Sequence, residues 1–166
     1  MPEAWNSSIQ RIILSSWIIA PEEKNVSRSL GRRETLGLMP GKKILIVEDE
    51  NLQLTTVAKR LKVAGYVVVG ARDGITAIST ARKEQPDLVL LDLGLPGGDG
   101  FVVMQRLQSL LSTATIPIIV ISSQDPAKSE EASKRAGAIA YMRKPVDFEK
   151  LLKLIAEAIG APELSP

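Results

Sequence analysis

Five side chains that could take part in chemistry stand at the ends of short apolar runs in this sequence. They are Glu48, Asp49, Asp92, Ser122 and Lys144. Alone, each has an ordinary explanation as a helix cap, a turn hydroxyl or a solvated surface charge. Apolar runs that alternate with helical patterns predict a parallel β-sheet, in which the carboxyl ends of the strands share one edge. We therefore expect the five side chains to meet at that edge.

The types of these side chains indicate phosphate chemistry. Carboxylates about 4 Å apart repel each other by roughly 1 kcal/mol in water and by more at a protein-like dielectric constant, so a cluster of three needs a counterion. Oxygen ligands without histidine or cysteine favour Mg²⁺. Lys144 and Ser122 beside such an ion would complete a receptor for a phosphoryl group. A carboxylate inside that receptor can itself be the nucleophile, which would give an aspartyl phosphate.

The composition excludes several other classes of function. The 166 residues include no histidine and no cysteine, which removes His-dependent catalytic triads, His- or Cys-ligated zinc and disulfides. Any phosphohistidine chemistry must therefore use a histidine of another protein. The formal net charge of +2 gives no support for direct nucleic-acid binding. The longest apolar stretch, Ile12 to Ala20, is too short to span a membrane, and we expect a cytoplasmic protein.

Five strands and five helices are expected between residues 41 and 160. Apolar runs predict strands at Lys43–Val47, Tyr66–Val69, Asp87–Leu91, Ile116–Ile121 and Ala138–Met142. Helical spacing predicts four apolar helix faces, which are Leu54, Val57, Ala58 and Leu61; Ile75, Ala77, Ile78 and Ala81; Val103, Leu107, Leu110 and Leu111; and Phe148, Leu151, Leu152, Ile155 and Ile159. The expected helix caps are Asp73, Asp125 and Asp147. This alternation predicts an α/β fold, a parallel sheet with right-handed crossovers and helices on both faces.

Residues 1–40 lack this alternation and are predicted to form an N-terminal extension. The stretch contains apolar residues with the spacing of one amphipathic helix, which are Ile9, Ile12, Ile13 and Trp17. Such a helix could anchor the chain to a partner or a membrane surface. A disordered tail is one alternative, and a native product that begins at Met39 is another. Residues 161–166 are predicted to form a short C-terminal tail.

Four motifs in fixed order resemble those of a known family. They are ILIVEDE (44–50), LVLLDLGLPGGDG (88–100), PIIVISS (117–123) and GAIAYMRKP (137–145). With these motifs, residues 42 to 160 resemble the receiver domain of the response regulators of two-component signalling, in a single-domain form like the chemotaxis regulators. The resemblance implies a flavodoxin-like, doubly wound sheet of five parallel strands in the order 2-1-3-4-5. It also implies a phosphorylation-activated signalling protein rather than an enzyme.

The resemblance implies a role for each residue at a strand end. Asp92 would accept a phosphoryl group from a phosphohistidine, and Ser122 and Lys144 would bind the phosphoryl oxygens. The implied Mg²⁺ ligands are Glu48, Asp49, Asp92 and the backbone carbonyl of Gly94. A cis peptide bond before Pro145 is also implied, which would aim Lys144 inward.

A conformational switch is part of the same resemblance. Tyr141 matches the switch aromatic of the family, whose ring turns inward when the hydroxyl of Ser122 moves toward the phosphate. The output would be altered protein binding by the fourth helix, the fifth strand and the fifth helix. The fourth helix, from Asp125 to Arg135, lacks large apolar residues and suits such a shift. The expected partners are a sensor histidine kinase or a histidine phosphotransfer protein and a downstream protein target, with the chain as a monomer or a phosphorylation-dependent dimer.

Two departures from the family pattern bear on the lifetime of the phosphorylated state. Gly94 stands where a bulkier residue is usual, and Gln124 is two residues after Ser122. Three other interpretations stay open at this point. A metal-dependent phosphohydrolase would need a second acid near the nucleophile, where Gly94 stands. A docking module would keep the fold without phosphorylation, and a flavodoxin-like cofactor binder would need a phosphate-cradling loop after Val47, where the sequence is acidic.

Overall fold

Ten regular elements alternate along the computed structural model, which describes residues 41–96 and 100–162. The strands are β1 (Lys43–Val47), β2 (Val67–Ala71), β3 (Leu88–Leu91), β4 (Ile118–Ser122) and β5 (Ala140–Arg143). The helices are α1 (Asn51–Val63), α2 (Gly74–Glu84), α3 (Gly100–Ser109), α4 (Pro126–Arg135) and α5 (Phe148–Ile159). The predicted N-terminal extension and its amphipathic helix lie outside the described residues, as does most of the predicted C-terminal tail.

The five strands form one parallel sheet in the order β2-β1-β3-β4-β5. The flavodoxin-like fold class is therefore confirmed. Val47 is in register with Leu91 of β3 and with Ala71 of β2, so the carboxyl ends of these three strands lie level. The strand order reverses between β1 and β3, and in open parallel sheets this reversal is the place where ligands bind.

Alternate residues of the central strands enter two separate cores. Leu45 and Val89 lie in the core covered by α2 and α3, whereas Ile44 and Leu88 lie in the core covered by α1 and α5. Successive side chains of a strand point to opposite faces, so a strand covered on both faces must be apolar throughout. This explains why the central strands appear in the sequence as unbroken apolar runs rather than as alternating patterns.

The predicted helix starts are confirmed. The carboxylates of Asp73, Asp125 and Asp147 each accept a backbone N–H in the first turn of the following helix. Two predicted core positions are wrong. Ile75 is 84% exposed and Leu111 is 100% exposed. Ile75 lies in the first turn of α2 on the solvent side, and α3 ends at Ser109, so Leu111 cannot extend its apolar face.

Candidate phosphoacceptor site

Asp92 lies immediately after β3 and is held on both its backbone and its side chain. Its N–H donates to the carbonyl of Val47 at 3.0 Å, which continues the pairing of β3 with β1. Oδ1 of its carboxylate accepts the backbone N–H of Gly94 at 2.9 Å. A Cβ at Gly100, the first residue of α3, would lie 2.7 Å from the carbonyl oxygen of Asp92. Only glycine therefore lets α3 begin this close to the acceptor.

Lys144 contacts residues at the carboxyl ends of β1, β3 and β4. The peptide bond between Lys144 and Pro145 is cis, as the family resemblance implied, and the Lys144 N–H donates to the carbonyl of Ser122 at 2.9 Å. Its Nζ donates to Oε2 of Glu48 at 2.6 Å and to Oδ2 of Asp92 at 2.7 Å. The lysine side chain is 12% exposed, and the two acid side chains are 9% exposed. The three charged groups therefore form one largely buried cluster.

Three acids at this edge could hold a metal ion. One oxygen from each of Glu48, Asp49 and Asp92 lies within 4.8 Å of the other two. Glu48 and Asp92 are buried and Asp49 is exposed, so the cluster opens to solvent on one side. The donors are all hard oxygens, and this donor set fits Mg²⁺ better than a transition metal. The carbonyl of Gly94 stays a predicted fourth ligand.

Ser122 and Tyr141 both contact the short loop between β4 and α4. The Ser122 side chain is buried, and its Oγ accepts the backbone N–H of Gln124 at 3.2 Å. The hydroxyl of Tyr141 donates to the carbonyl of Gln124 at 2.9 Å. The Ser122 hydroxyl therefore contacts the loop between β4 and α4. Its predicted contact with a phosphoryl group on Asp92 stays a prediction.

Comparison with known proteins identifies the family of this chain. Residues 44–156 match the family model of the response regulator receiver domain. The chain belongs to the receiver domain family. It is 37% identical over 113 residues to the protein PilH of Pseudomonas aeruginosa, a match that covers 68% of this chain and 93% of PilH. Receiver domains are phosphorylation-dependent switches of two-component signalling rather than conventional enzymes.

Two solved receiver structures share this fold. The receiver domain of the sensor histidine kinase PA1611 from Pseudomonas aeruginosa PAO1, with a magnesium ion coordinated in its active-site cleft, has a TM-score of 0.67 and 28% identity. That match covers 73% of this chain and 99% of the PA1611 domain. A CheY-like receiver domain protein from Methanospirillum hungatei JF-1 has a TM-score of 0.66 and 29% identity, over 71% of this chain and 93% of that one.

The electrostatics of the receiver site follow from burial and from Lys144. Burial raises the pKa of the Glu48 carboxyl above its ordinary value, although the hydrogen bond and charge of Lys144 lower it. Burial also works to lower the pKa of Lys144, but hydrogen bonds to Asp92 and Glu48, together with their charges, outweigh it and raise that pKa. Lys144 therefore remains an ammonium group at neutral pH and acts as the built-in counterion of the acids.

The five predicted side chains lie at or just after the carboxyl ends of their strands, but sequence reasoning missed one supporting residue, Gly100, and one contact of Gln124. Gly100 packs directly against the backbone of Asp92. In the sequence, the only indication of this contact is the glycine at the end of the motif LVLLDLGLPGGDG. Gln124 was expected to bear only on the lifetime of the phosphorylated state, yet its side-chain Oε1 also accepts the hydroxyl of Ser129 in α4 at 2.9 Å. Within residues 41–96 and 100–162, no helix is long and apolar enough to cross a bilayer.

Proposed function

We propose that Asp92 of this receiver domain accepts a phosphoryl group from a phosphohistidine of a partner protein, and that the modified chain binds a downstream protein differently. The partner is a sensor histidine kinase or a histidine phosphotransfer protein, and the reaction takes place in the cytoplasm. The observation that carries this proposal is the position of the Lys144 Nζ, 2.7 Å from Asp92 Oδ2 and 2.6 Å from Glu48 Oε2. A fixed cation beside the buried carboxylate of Asp92 can balance the negative charge that a phosphoryl group would add there.

The transfer is a single displacement at phosphorus. A carboxylate oxygen of Asp92 attacks the phosphorus in line with the leaving imidazole. A P–O bond forms as the P–N bond breaks, and the electron pair of that bond returns to the imidazole nitrogen of the donor. The product carries about −1.5 to −2 charge near neutral pH. Lys144 balances part of this charge, and the Ser122 hydroxyl supplies a hydrogen-bond donor to a phosphoryl oxygen.

Mg²⁺ is the cofactor that the acidic cluster would hold. Its ligands would be Glu48, Asp49, Asp92 and the carbonyl of Gly94, with the exposed side of Asp49 open to water and phosphoryl oxygens. When bound, the ion neutralises charge on the transferring phosphoryl group. In support, the carboxylate oxygens lie within 4.8 Å of one another, which is close enough to share one cation.

A groove beside the site offers a surface over which a phosphodonor protein can approach. It encloses about 530 Å³ and is lined by residues that include Leu52, Thr56, Lys144, Pro145 and Phe148. Leu52 in the first turn of α1 is 73% exposed. An apolar side chain this exposed beside the phosphoryl-binding lysine is suited to contact a partner. The groove therefore supports the docking of a phosphodonor protein beside Lys144.

The output face comprises α4, β5 and α5, as the family resemblance implies. The buried residues of α4 are two serines, Ser129 and Ser133, so its attachment to the sheet includes little apolar burial. Tyr141 of β5 is half-buried and contacts the loop before α4. A movement of Ser122 would therefore be transmitted to this face through the loop between β4 and α4. Phosphorylation-dependent dimerisation and binding of another protein are both compatible outputs of such a face.

The test is the intact mass of the protein after incubation with acetyl phosphate or phosphoramidate, with and without Mg²⁺. We expect one Mg²⁺-dependent, hydroxylamine-sensitive phosphate on the wild type and none on Asp92→Asn. Asp87→Asn is the matched control, because Asp87 stands at the opposite end of β3 and accepts the Lys43 N–H at 2.7 Å. Equal labelling of Asp92→Asn would show that the acceptor is another residue. An unlabelled wild type that also binds no Mg²⁺ would favour a phosphorylation-independent docking module.

A further inference from the structure

Helix α4 differs from the other four helices in what it buries. Each of the others buries at least one apolar side chain, such as Leu61 of α1 and Leu151 of α5. The buried residues of α4 are Ser129 and Ser133, which are 6% and 0% exposed. Apolar burial contributes to stability in proportion to area, and a serine offers little. Hydrogen bonds therefore have unusual weight in fixing the position of α4.

These hydrogen bonds form a chain that runs from Ser122 into α4. The hydroxyl of Ser133 donates to the Ser129 carbonyl at 2.6 Å, a bond between two residues of α4 that does not itself tie the helix to the loop. The hydroxyl of Ser129 donates to the side-chain Oε1 of Gln124 at 2.9 Å. The backbone N–H of Gln124 in turn donates to Oγ of Ser122 at 3.2 Å. Gln124 is thus bonded both to the hydroxyl expected to meet the phosphoryl group and to the buried side of α4.

The side chain of Gln124 is not needed to start α4. The carboxylate of Asp125 already caps the helix by accepting the N–H of Ala127 at 3.1 Å, and Pro126 occupies the first helical position. The bond from Ser129 to Gln124 therefore has a different consequence, which is to tie the helix to the loop. The loop consists only of residues Ser123 to Asp125. A displacement of Ser122 therefore also displaces Gln124.

We propose that Gln124 is a positioning residue, whose bond to Ser129 holds α4 in the arrangement that goes with an unphosphorylated Asp92. The inference rests on the proposed function. When the Ser122 hydroxyl turns toward a phosphoryl oxygen, its contact with the Gln124 N–H changes, and the side-chain bond to Ser129 is broken as the loop moves. A bond present in one state and absent in the other biases the equilibrium by its own net free energy. Removing it therefore favours the phosphorylated arrangement.

The variants that test this are Gln124→Met, Ser129→Ala and the double variant. Gln124→Met keeps a side chain of similar length and deletes the acceptor, so the buried Ser129 hydroxyl loses its partner. Ser129→Ala removes the donor and leaves the exposed Gln124 to water. Ser133→Ala is the matched control, because it removes the other buried hydroxyl of α4 without touching Gln124.

Beryllofluoride titration in the presence of Mg²⁺ measures the preference for the activated arrangement. We expect Gln124→Met and Ser129→Ala to bind beryllofluoride roughly 2-fold to 10-fold more tightly than the wild type, which is the worth of one hydrogen bond. The double variant should bind no more tightly than Gln124→Met, and Ser133→Ala should match the wild type. Unchanged or weaker binding by both single variants, or fully additive effects in the double variant, would overturn the proposal.

Amide hydrogen exchange without beryllofluoride gives a second readout. In both single variants, the amides of α4 should exchange faster than in the wild type, because the bond between α4 and the loop is lost. The amides of α5 should exchange at the wild-type rate. Uniform acceleration through the whole domain would mean a merely structural role and would refute the positioning role. A wild type that takes up neither phosphate nor beryllofluoride would refute the proposed function. In that case, unchanged exchange in α4 of Gln124→Met would refute the tie as well.

Discussion

Replacing Lys144 by methionine tests whether this lysine is the counterion that makes the acidic cluster tolerable. Methionine keeps much of the length of the side chain but removes its charge. The Nζ lies 2.6 Å from Glu48 Oε2 and 2.7 Å from Asp92 Oδ2, among side chains that are 9% to 12% exposed. Removing one partner of a buried ion pair costs about 3–5 kcal/mol. Because Asp49 opens the cluster to solvent, we expect the lower end, roughly 3 kcal/mol of unfolding free energy at neutral pH.

The loss of stability should depend on pH. The pKa of Glu48 is raised above its ordinary value of 4.5 by burial, against the opposing effect of Lys144. A carboxyl with a raised pKa in the folded state favours folding below its unfolded pKa, and this advantage is lost as pH rises through the folded value. Lys144→Met removes the opposing effect, so the folded pKa of Glu48 rises further. The difference from the wild type should therefore be smallest near about pH 4 and reach its full size toward about pH 7.

Urea unfolding followed by circular dichroism, with EDTA present, measures this difference. Lys43→Met is the matched control, because the Lys43 Nζ lies 3.1 Å from Glu84 Oε2 in a pair whose side chains are 30% and 31% exposed. A pair this open to water should lose less than about 1 kcal/mol, with little dependence on pH. Equal losses in the two variants, or a loss in Lys144→Met that is the same at every pH, would refute the counterion role.

Two further predictions concern the metal and the phosphorylated state. Lys144→Met should bind Mg²⁺ more tightly, by roughly tenfold, because the ammonium no longer competes for the same carboxylates; calorimetric titration measures this, and an unchanged affinity would contradict it. Gly94→Met should lengthen the phosphorylated lifetime, followed by the decay of the phosphorylated mass. A Cβ there would lie 3.5 and 3.6 Å from the two carboxylate oxygens of Asp92, so the added side chain can shield the site without displacing it. Faster decay than in the wild type would count against this.

The fold and the location of the site could be predicted because their signals are local. Buried parallel strands require apolar runs, and each run here ends beside a polar residue. The three aspartate caps are equally local, since the cap and its N–H partner are two or three residues apart. The expectation that Glu48, Asp92 and Lys144 meet needed one further step, the shared edge of a parallel sheet.

The rest depends on choices among partners that only the packed structure decides. Lys144 bonds to Glu48 as well as Asp92, and the Ser129 hydroxyl selects a side-chain acceptor on Gln124. No periodic pattern encodes such a choice, because the partners come from different elements. Ile75 shows the converse. It has a core-forming side chain at roughly helical spacing, yet it is exposed because no described residue covers the first turn of α2 on that side.

Packing divides the receiver into a half suited to hold the phosphoryl group and a half suited to respond to it. β1 and β3 are central, buried on both faces and paired in register up to Val47 and Leu91, so Glu48 and Asp92 stand on a frame that is costly to deform. β5 lies at the edge of the sheet and pairs only with β4 in the described sheet. The helix before β5, α4, is the one that buries serines. Lys144 and Ser122 stand between these halves. Lys144 follows the edge strand β5 and its Nζ reaches Glu48 and Asp92, whereas Ser122 ends β4 and its hydroxyl contacts the loop before α4. A phosphoryl group on Asp92, as proposed, would therefore meet a rigid acceptor and would be balanced by groups on the more deformable side, where the free energy of one or two hydrogen bonds would be enough to shift a helix.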